Sequence, residues 1–266
     1  MTVRICVAGA TGWVGRPLVA AVRGADDLTL VGAVARGAAG QDVGVAAGDA
    51  PAGVTVSASV AEALAAPTDA LIDYTHPAAV KANVLTAIER GVAAVIGTSG
   101  LSAADYDEID RAARGRGVGV IAAGNFSVTA ALLLHCALLA ARHVPEWEIL
   151  DYAGAAKPDV PSGTARELAE RLGAVGRPRA ALPLDRLVGP KEARGADIAG
   201  ARVHSLRLPG YVLSCEVVFG KDGERLALRH DAGSSAEPYV AGTLLAARRV
   251  GSVTGLVRGL DTLLFG

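Results

Sequence analysis

The sequence predicts an α/β chain in two parts, a doubly wound parallel sheet followed by an α+β region with a mostly antiparallel or mixed sheet. Three observations carry this expectation. A short β-rich run, Val3-Arg4-Ile5-Cys6-Val7-Ala8, passes at once into a glycine-rich turn and then a helical pattern. Apolar runs and helical stretches then alternate as far as Ile121, the rhythm of parallel strands joined by crossover helices. Beyond Arg142 the apolar runs are joined by turn residues, as in hairpins.

The turn reads Gly9-Ala10-Thr11-Gly12-Trp13-Val14-Gly15, a G-x-x-G-x-x-G pattern between a strand and a helix. In that context the first glycine allows the tight turn, the second lets backbone meet a pyrophosphate, and the third lets helix and strand pack closely. The first part therefore reads as a Rossmann-type dinucleotide-binding domain, with Gly9, Thr11, Gly12, Trp13, Val14 and Gly15 around the phosphates. The second strand, Leu28 to Val34, ends at Ala35-Arg36. No carboxylate stands there to take the ribose hydroxyls, and a guanidinium suits a 2′-phosphate, so NADPH is expected, with NADH as the other option.

A short helix over Ala61 to Ala66 precedes the strand Ala70 to Thr75, and His76-Pro77 opens a helix through Glu89. The strand Ala93 to Ile96 leads to Gly97-Thr98-Ser99-Gly100; Ser102 caps the helix Ala103 to Arg114, and Val118 to Ile121 is the next strand. Ligands of such sheets sit beyond the carboxyl ends of the strands. Tyr74, Thr75, Gly97, Thr98, Ser99, Asn125 and Phe126 all follow strands and are expected to line that crevice.

Composition narrows the class. With 51% hydrophobic but only 4% aromatic residues, Val, Leu, Ile and Ala must supply the packing. A net charge of −1 and no basic stripe argue against nucleic acid, while small anions remain possible because they need only a local charge. Cys6, Cys136 and Cys215 are widely spaced, which suggests reduced, mostly structural thiols in a cytoplasmic protein and no metal site. The N-terminus has no signal-peptide layout, and no apolar run is long enough to span a bilayer.

The helix from Val128 to Arg142 is apolar all round and is expected to be buried between domains, with His135 as a core or interface residue. A strand ending at Asp151-Tyr152 follows, then the loop Lys157-Pro158-Asp159-Val160-Pro161-Ser162-Gly163-Thr164 and a helix. Helix-start amides, two hydroxyls and the Lys157 ammonium make a cradle for a carboxylate or phosphate; a plain capped helix is the other reading. An irregular stretch from Val175 to Ile198 precedes three strands, two of them joined at Gly220-Lys221-Asp222-Gly223; then come a helix, Pro238 to Val250, and an apolar segment, Thr254 to Leu264. The expected division is residues 1–126 for the dinucleotide, 127–237 for substrate binding and oligomerisation, and 238–266 packing back on the first part.

Taken together, Gly9 to Gly15, Gly97-Thr98-Ser99-Gly100, Asn125-Phe126-Ser127-Val128, Lys157 to Ala165 and His204-Ser205-Leu206-Arg207 resemble the dihydrodipicolinate reductases of the lysine and diaminopimelate pathway. The resemblance covers nearly the whole chain; its sharpest part is the family motif K-x-D-A-P-S-G-T-A. It implies hydride delivery from NADPH or NADH, substrate carboxylates held by Lys157, Ser162, Gly163 and Thr164, and a homotetramer. It also implies a His-His pair before the lysine, one member being the general acid, yet Ala153 and Gly154 stand there; the arginine of the family's S-S-R segment is also missing, with Ser235 in its place. Lys157 and Tyr152 are the surviving catalytic candidates, and Asp151 fits a structural hydrogen bond better. Three functions stay open: an NADPH-dependent reductase acting on a C=N or enamine of a small carboxylate, the lysine-pathway reductase with a relocated acid, and a non-catalytic NADPH-binding sensor or scaffold.

Overall fold

The computed structural model describes residues 2–266 and divides into two compact units. The first takes the chain up to Val128 together with Ala236–Leu264 and the last glycine. Its strands β1 (Val3–Ala8), β2 (Leu28–Val34), β3 (Val56–Ser57), β4 (Ala70–Asp73), β5 (Ala93–Ile96) and β6 (Gly119–Ala122) are joined by the last strand of the chain, β12 (Gly255–Arg258). They form one seven-stranded sheet in the order β12-β6-β5-β4-β1-β2-β3, parallel at every pairing. The inner strands are short and apolar because both faces are covered, so every residue of β4, β5 and β6 is buried. Chain order reverses between β1 and β4, and a ligand crevice is expected at the carboxyl ends of strands at such a switch.

Helices α1 (Gly15–Arg23), α2 (Val43–Ala47), α3 (Val60–Ala63), α4 (Pro77–Glu89) and α5 (Ala103–Arg116) connect these strands. Ser102 caps α5 through a capping box with Asp105. The segment Thr254 to Leu264 contains β12, whose Gly255 to Arg258 pair with Gly119 to Ala122 of β6. The short elements β3 and α2 had no signature in the sequence: two and five residues are too few to show a period.

The second unit spans Thr129–Ser235 together with Phe265. Its sheet, in the order β11-β10-β7-β9-β8, is built from β7 (Glu146–Ala153), β8 (Ala196–Ile198), β9 (Ala201–Arg207), β10 (Leu213–Lys221) and β11 (Glu224–Ala232). It is mixed: β7 and β9 run parallel, and the other pairs are antiparallel. Asp222 and Gly223 make the two-residue turn between β10 and β11, with Gly223 at φ +80°. Helices α6 (Val128–Ala141) and α7 (Gly163–Val175) cover one sheet face, packing Leu133, Leu134, Leu168 and Leu172 against Trp147, Ile149, Val217 and Phe219.

One expectation fails here. Helix α6 is not buried all round: Leu132 is 41% and Leu139 54% exposed, and His135 and Cys136 also face outward. A helix lying on one face of a sheet buries only the stripe it turns inward, however apolar its other residues are. Cys136 is accordingly an exposed thiol, whereas Cys6 and Cys215 are buried, and burial pushes Cys6 up to about 12. No helix among the described residues is long and apolar enough to cross a membrane.

Candidate active site

In the first unit the loops after β1, β4, β5 and β6 converge on Tyr74. Gly9 sits at φ +82°, and a Cβ there would lie 2.1 Å from the Tyr74 carbonyl oxygen. A Cβ on Gly15 would lie 2.0 Å from the Gly9 carbonyl, and one on Gly97 would lie 2.1 Å from the Tyr74 ring. Real Cβ atoms cannot be accommodated at such distances, so all three positions require glycine. A Cβ on Gly12 would lie 3.1 Å from the Gly9 carbonyl oxygen, so that position is less tightly enclosed. Helix α1 starts without a side-chain cap at Val14; the Arg16 amide donates to the Gly12 carbonyl and Pro17 has no N–H, so the Gly15 amide is what this helix start offers an anion.

The Tyr74 side chain supports these loops rather than offering its hydroxyl to them. That hydroxyl is bonded to Thr243 Oγ1 at 2.8 Å, its ring packs against Phe126, and burial raises its pKa. Trp13 is 54% exposed and meets the Tyr239 ring edge-on. Beneath Thr75 and Thr98 lies the fully buried Asp73. Its Oδ1 accepts from the Thr75 amide (3.0 Å), the Thr75 hydroxyl (2.7 Å) and the Thr98 hydroxyl (2.8 Å), and its Oδ2 from the Asn83 amide (2.8 Å). Asn125 is buried and takes the Ser127 amide on its Oδ1. Arg36 and Ser99 are exposed, Arg36 in a short 3-10 turn just past β2.

In the second unit β7 delivers Asp151 into a buried node. Its Oδ2 accepts from the Ser162 amide (3.0 Å), the Ser205 hydroxyl (3.0 Å) and Arg207 Nη2 (2.8 Å). Arg207 also donates to the Asp159 carbonyl at 2.6 Å, so one guanidinium ties β9 to both β7 and the loop before α7. The Ser162 hydroxyl in turn accepts the Ala165 amide and caps α7, leaving Gly163 and Thr164 in its first turn. Lys157 is half-buried, with its Nζ 2.8 Å from an Asp159 carboxylate oxygen. Lys157, Ser162, Gly163 and Thr164 thus share one braced loop and helix start.

The structure does not bring Tyr152 into this group. Neighbouring residues of a strand point to opposite faces, and Tyr152 turns away from Asp151. Its hydroxyl donates to Glu216 Oε2 at 3.1 Å, its ring lies 5.2 Å from that of Tyr211, and Arg229 stacks over it at 4.9 Å. Burial, and then the Glu216 carboxylate, raise its pKa. The physical reason is the pleat: adjacency in sequence to Ala153 does not mean adjacency in direction.

Comparison with known proteins places this architecture. Residues 3–126 match the family model for dihydrodipicolinate reductase, N-terminus, and residues 129–264 match that for dihydrodipicolinate reductase, C-terminus. The chain belongs to the dihydrodipicolinate reductase family. It is 42% identical over 265 residues to a 4-hydroxy-tetrahydrodipicolinate reductase of Moorella thermoacetica, spanning 99% of this chain and 98% of that one. A 4-hydroxy-tetrahydrodipicolinate reductase of Nocardia farcinica is 38% identical over 268 residues, spanning 99% of each chain. Among solved structures, the dipicolinate-bound dihydrodipicolinate reductase from Paenisporosarcina sp. TG-14 superimposes with a TM-score of 0.78 at 28% identity, over 98% of this chain and 99% of that one. Dihydrodipicolinate reductases are NAD(P)H-dependent oxidoreductases, and this chain is an enzyme of that kind.

Of the groups that hold each site, the sequence did not single out Asp73, Asn83 and Thr243 in the first unit. In the second, Asp151 makes the structural hydrogen bonds expected of it, and its partners Ser205 and Arg207 come from the His204 to Arg207 motif. A signal for Asp73 was available: a carboxylate ending an otherwise apolar central strand must find several donors to be buried.

Proposed function

We propose that the chain is an NADPH-dependent reductase that transfers hydride to a C=N bond or conjugated enamine of a small carboxylate, as 4-hydroxy-tetrahydrodipicolinate reductases do. The observation that carries this reading is the braced anion cradle of Lys157 and Ser162 to Thr164. An ordinary capped helix has no need of a buried Asp151–Arg207 pair behind its first turn. The cofactor fits the first unit on its own geometry: Gly9 and Gly15 leave no room for side chains, and an uncapped helix follows. Bound NADPH would supply the hydride. Gly9, Thr11, Gly12, Trp13, Val14 and Gly15 would take its pyrophosphate, and Tyr74, Thr75, Gly97, Thr98, Ser99, Asn125 and Phe126 would border its nicotinamide half. Arg36 would take the 2′-phosphate.

The protein's own residues then have separable tasks. Lys157 leaves Asp159 for a substrate carboxylate, and the first-turn amides of α7 take the same or a second carboxylate. The strand end offers no proton, because Ala153 and Gly154 carry none and Tyr152 faces the other way. The substrate that suits such a site is a protonated iminium, which accepts hydride at carbon without a separate acid; Lys157 is the one cationic acid within the cradle. A second reading, the lysine-pathway substrate itself, is favoured by 42% identity over 99% of the chain. Association of copies and residence in the cytoplasm belong to the same proposal.

Two measurements test it. Calorimetric titration should show NADPH binding at least about tenfold more tightly than NADH, the effect of one charge-assisted contact, and Arg36→Ala should erase the preference. Tighter NADH binding would remove Arg36 from the account. NADPH oxidation with 4-hydroxy-tetrahydrodipicolinate, run beside a panel of cyclic and acyclic imines, separates the two substrate readings. Growth of a diaminopimelate auxotroph carrying the chain would decide for the second. Tight NADPH binding with no turnover of any substrate would leave a sensor.

A further inference from the structure

We propose that Asp73 is a positioning residue that sets the polarity of the nicotinamide pocket, making it selective for a cofactor head whose amide can donate hydrogen bonds. The proposal rests on the reading that the switch-point crevice binds a nicotinamide dinucleotide. A carboxylate has only acceptor sites, and a threonine hydroxyl has one proton. The Thr75 and Thr98 hydroxyls lie 2.7 and 2.8 Å from the same Asp73 oxygen, so both protons are committed to it. Towards anything else the two hydroxyls can only accept.

Thr98 Oγ1 already accepts the Thr75 amide at 2.8 Å and keeps one lone pair; Thr75 Oγ1 has only a long 3.4 Å approach from Asn83. Asn83 is itself held at 2.8 Å by the other Asp73 oxygen. Both hydroxyl protons are therefore turned towards Asp73, and what the two hydroxyl oxygens retain is acceptor capacity. Thr75 borders the crevice, since a Cβ on Gly9 would lie 3.3 Å from its amide nitrogen. In a doubly wound sheet the strands across the switch from β1 and β2 serve the second nucleotide half, which here is the nicotinamide end. A carboxamide carries an NH2 group with two donors, the complement of two oriented acceptors. An acetyl group in its place has none and would leave both acceptors unpaired.

The experiment is binding calorimetry on the full chain with three reduced cofactors: NADPH, its thionicotinamide analogue, which keeps the NH2, and its 3-acetylpyridine analogue, which lacks it. The wild type should bind the first two alike and the third about tenfold more weakly, the loss from unpaired acceptors. Asp73→Asn keeps the shape but brings an NH2 of its own, which releases hydroxyl protons, so the discrimination should collapse to within about twofold. Thr75→Val removes one acceptor and leaves Asp73 in place, giving a partial loss, while Thr75→Ser should restore it. These two variants carry the test if Asp73→Asn does not fold. A purely structural Asp73 would alter thermal stability and weaken all three cofactors equally, which overturns the proposal; so would equal binding of the three by the wild type. Failure of the folded chain to bind any of them would instead overturn the dinucleotide reading.

Discussion

At the residue scale, buried charges are tolerated only where several partners share them. Asp151 is fully buried, and Arg207, 15% exposed at its side chain, is its cationic partner. Two neutral donors, Ser205 and the Ser162 amide, complete the set. Removing one member of such a pair leaves the other charge stranded, which costs about 3–5 kcal/mol, more than the net worth of the pair. Arg207→Met should therefore lower unfolding stability by about 3 kcal/mol in denaturant titrations, whereas Ser205→Ala should cost only about 1 kcal/mol. Equal losses would mean that Asp151 is held by its neutral donors. Part of this was legible beforehand: Asp151 fitted a structural hydrogen bond and His204 to Arg207 stood out as a motif, but their pairing was not, because the partner of Arg207 lies 56 residues away.

At the element scale, the smallest pieces depend most on single side chains. Helix α2 has five residues, too short to persist alone, and Asp42 fixes both its start and the loop that follows. Asp42 accepts from the amides of Ala52, Gly53, Val45 and Gly44, with Ala52 the largest influence, and they hold its carboxyl below the usual carboxylate range. A folded-state pKa below the unfolded one gives stability that is present above the unfolded value, about 3.9, and lost as pH falls through the folded one. Asp42→Asn should lower Tm at neutral pH, and the gap from the wild type should close as pH drops below about 4. A gap constant with pH would sink the assignment. Long elements, by contrast, could be read from sequence: α4, α5 and the apolar inner strands announce themselves by period and cap, while β3 and α2 exist only because neighbours pair with them or hold them. Tyr152 shows the same limit in another form, since sequence gave its strand but not the face that mattered.

For the whole molecule, the first unit is assembled from both ends of the chain. Helix α8 (Glu237–Arg249) supplies Thr243 to the Tyr74 hydroxyl and Tyr239 to Trp13, and Arg248 reaches Asp27 at 2.6 Å. A Cβ on Gly242 would lie 2.0 Å from the Phe126 carbonyl, so α8 packs directly under the loop after β6. A fragment ending at Val128 contains the glycine turn and six of the seven strands, yet it lacks this support and leaves β6 with an open edge. It should neither unfold cooperatively nor bind NADPH; adding residues 236–266 in trans should restore both. Cooperative unfolding of the fragment alone would show that the returning segment is dispensable. The match of sequence to fold was good for the two-part plan because periodicity and turns are local. It expected residues 238–266 to pack back on the first part but gave none of the contacts through which α8 acts as a buttress, because these join residues more than a hundred positions apart.

That arrangement also orders events during synthesis. Residues 129–235 leave the ribosome complete and are free to fold while the earlier segment still lacks its final strand and its supporting helix. The nucleotide pocket, although begun first, is completed after the second unit, so a nascent chain should not sequester the cofactor before residues 236–264 have emerged. Any chain truncated early is left with an unclosed sheet for quality control to detect.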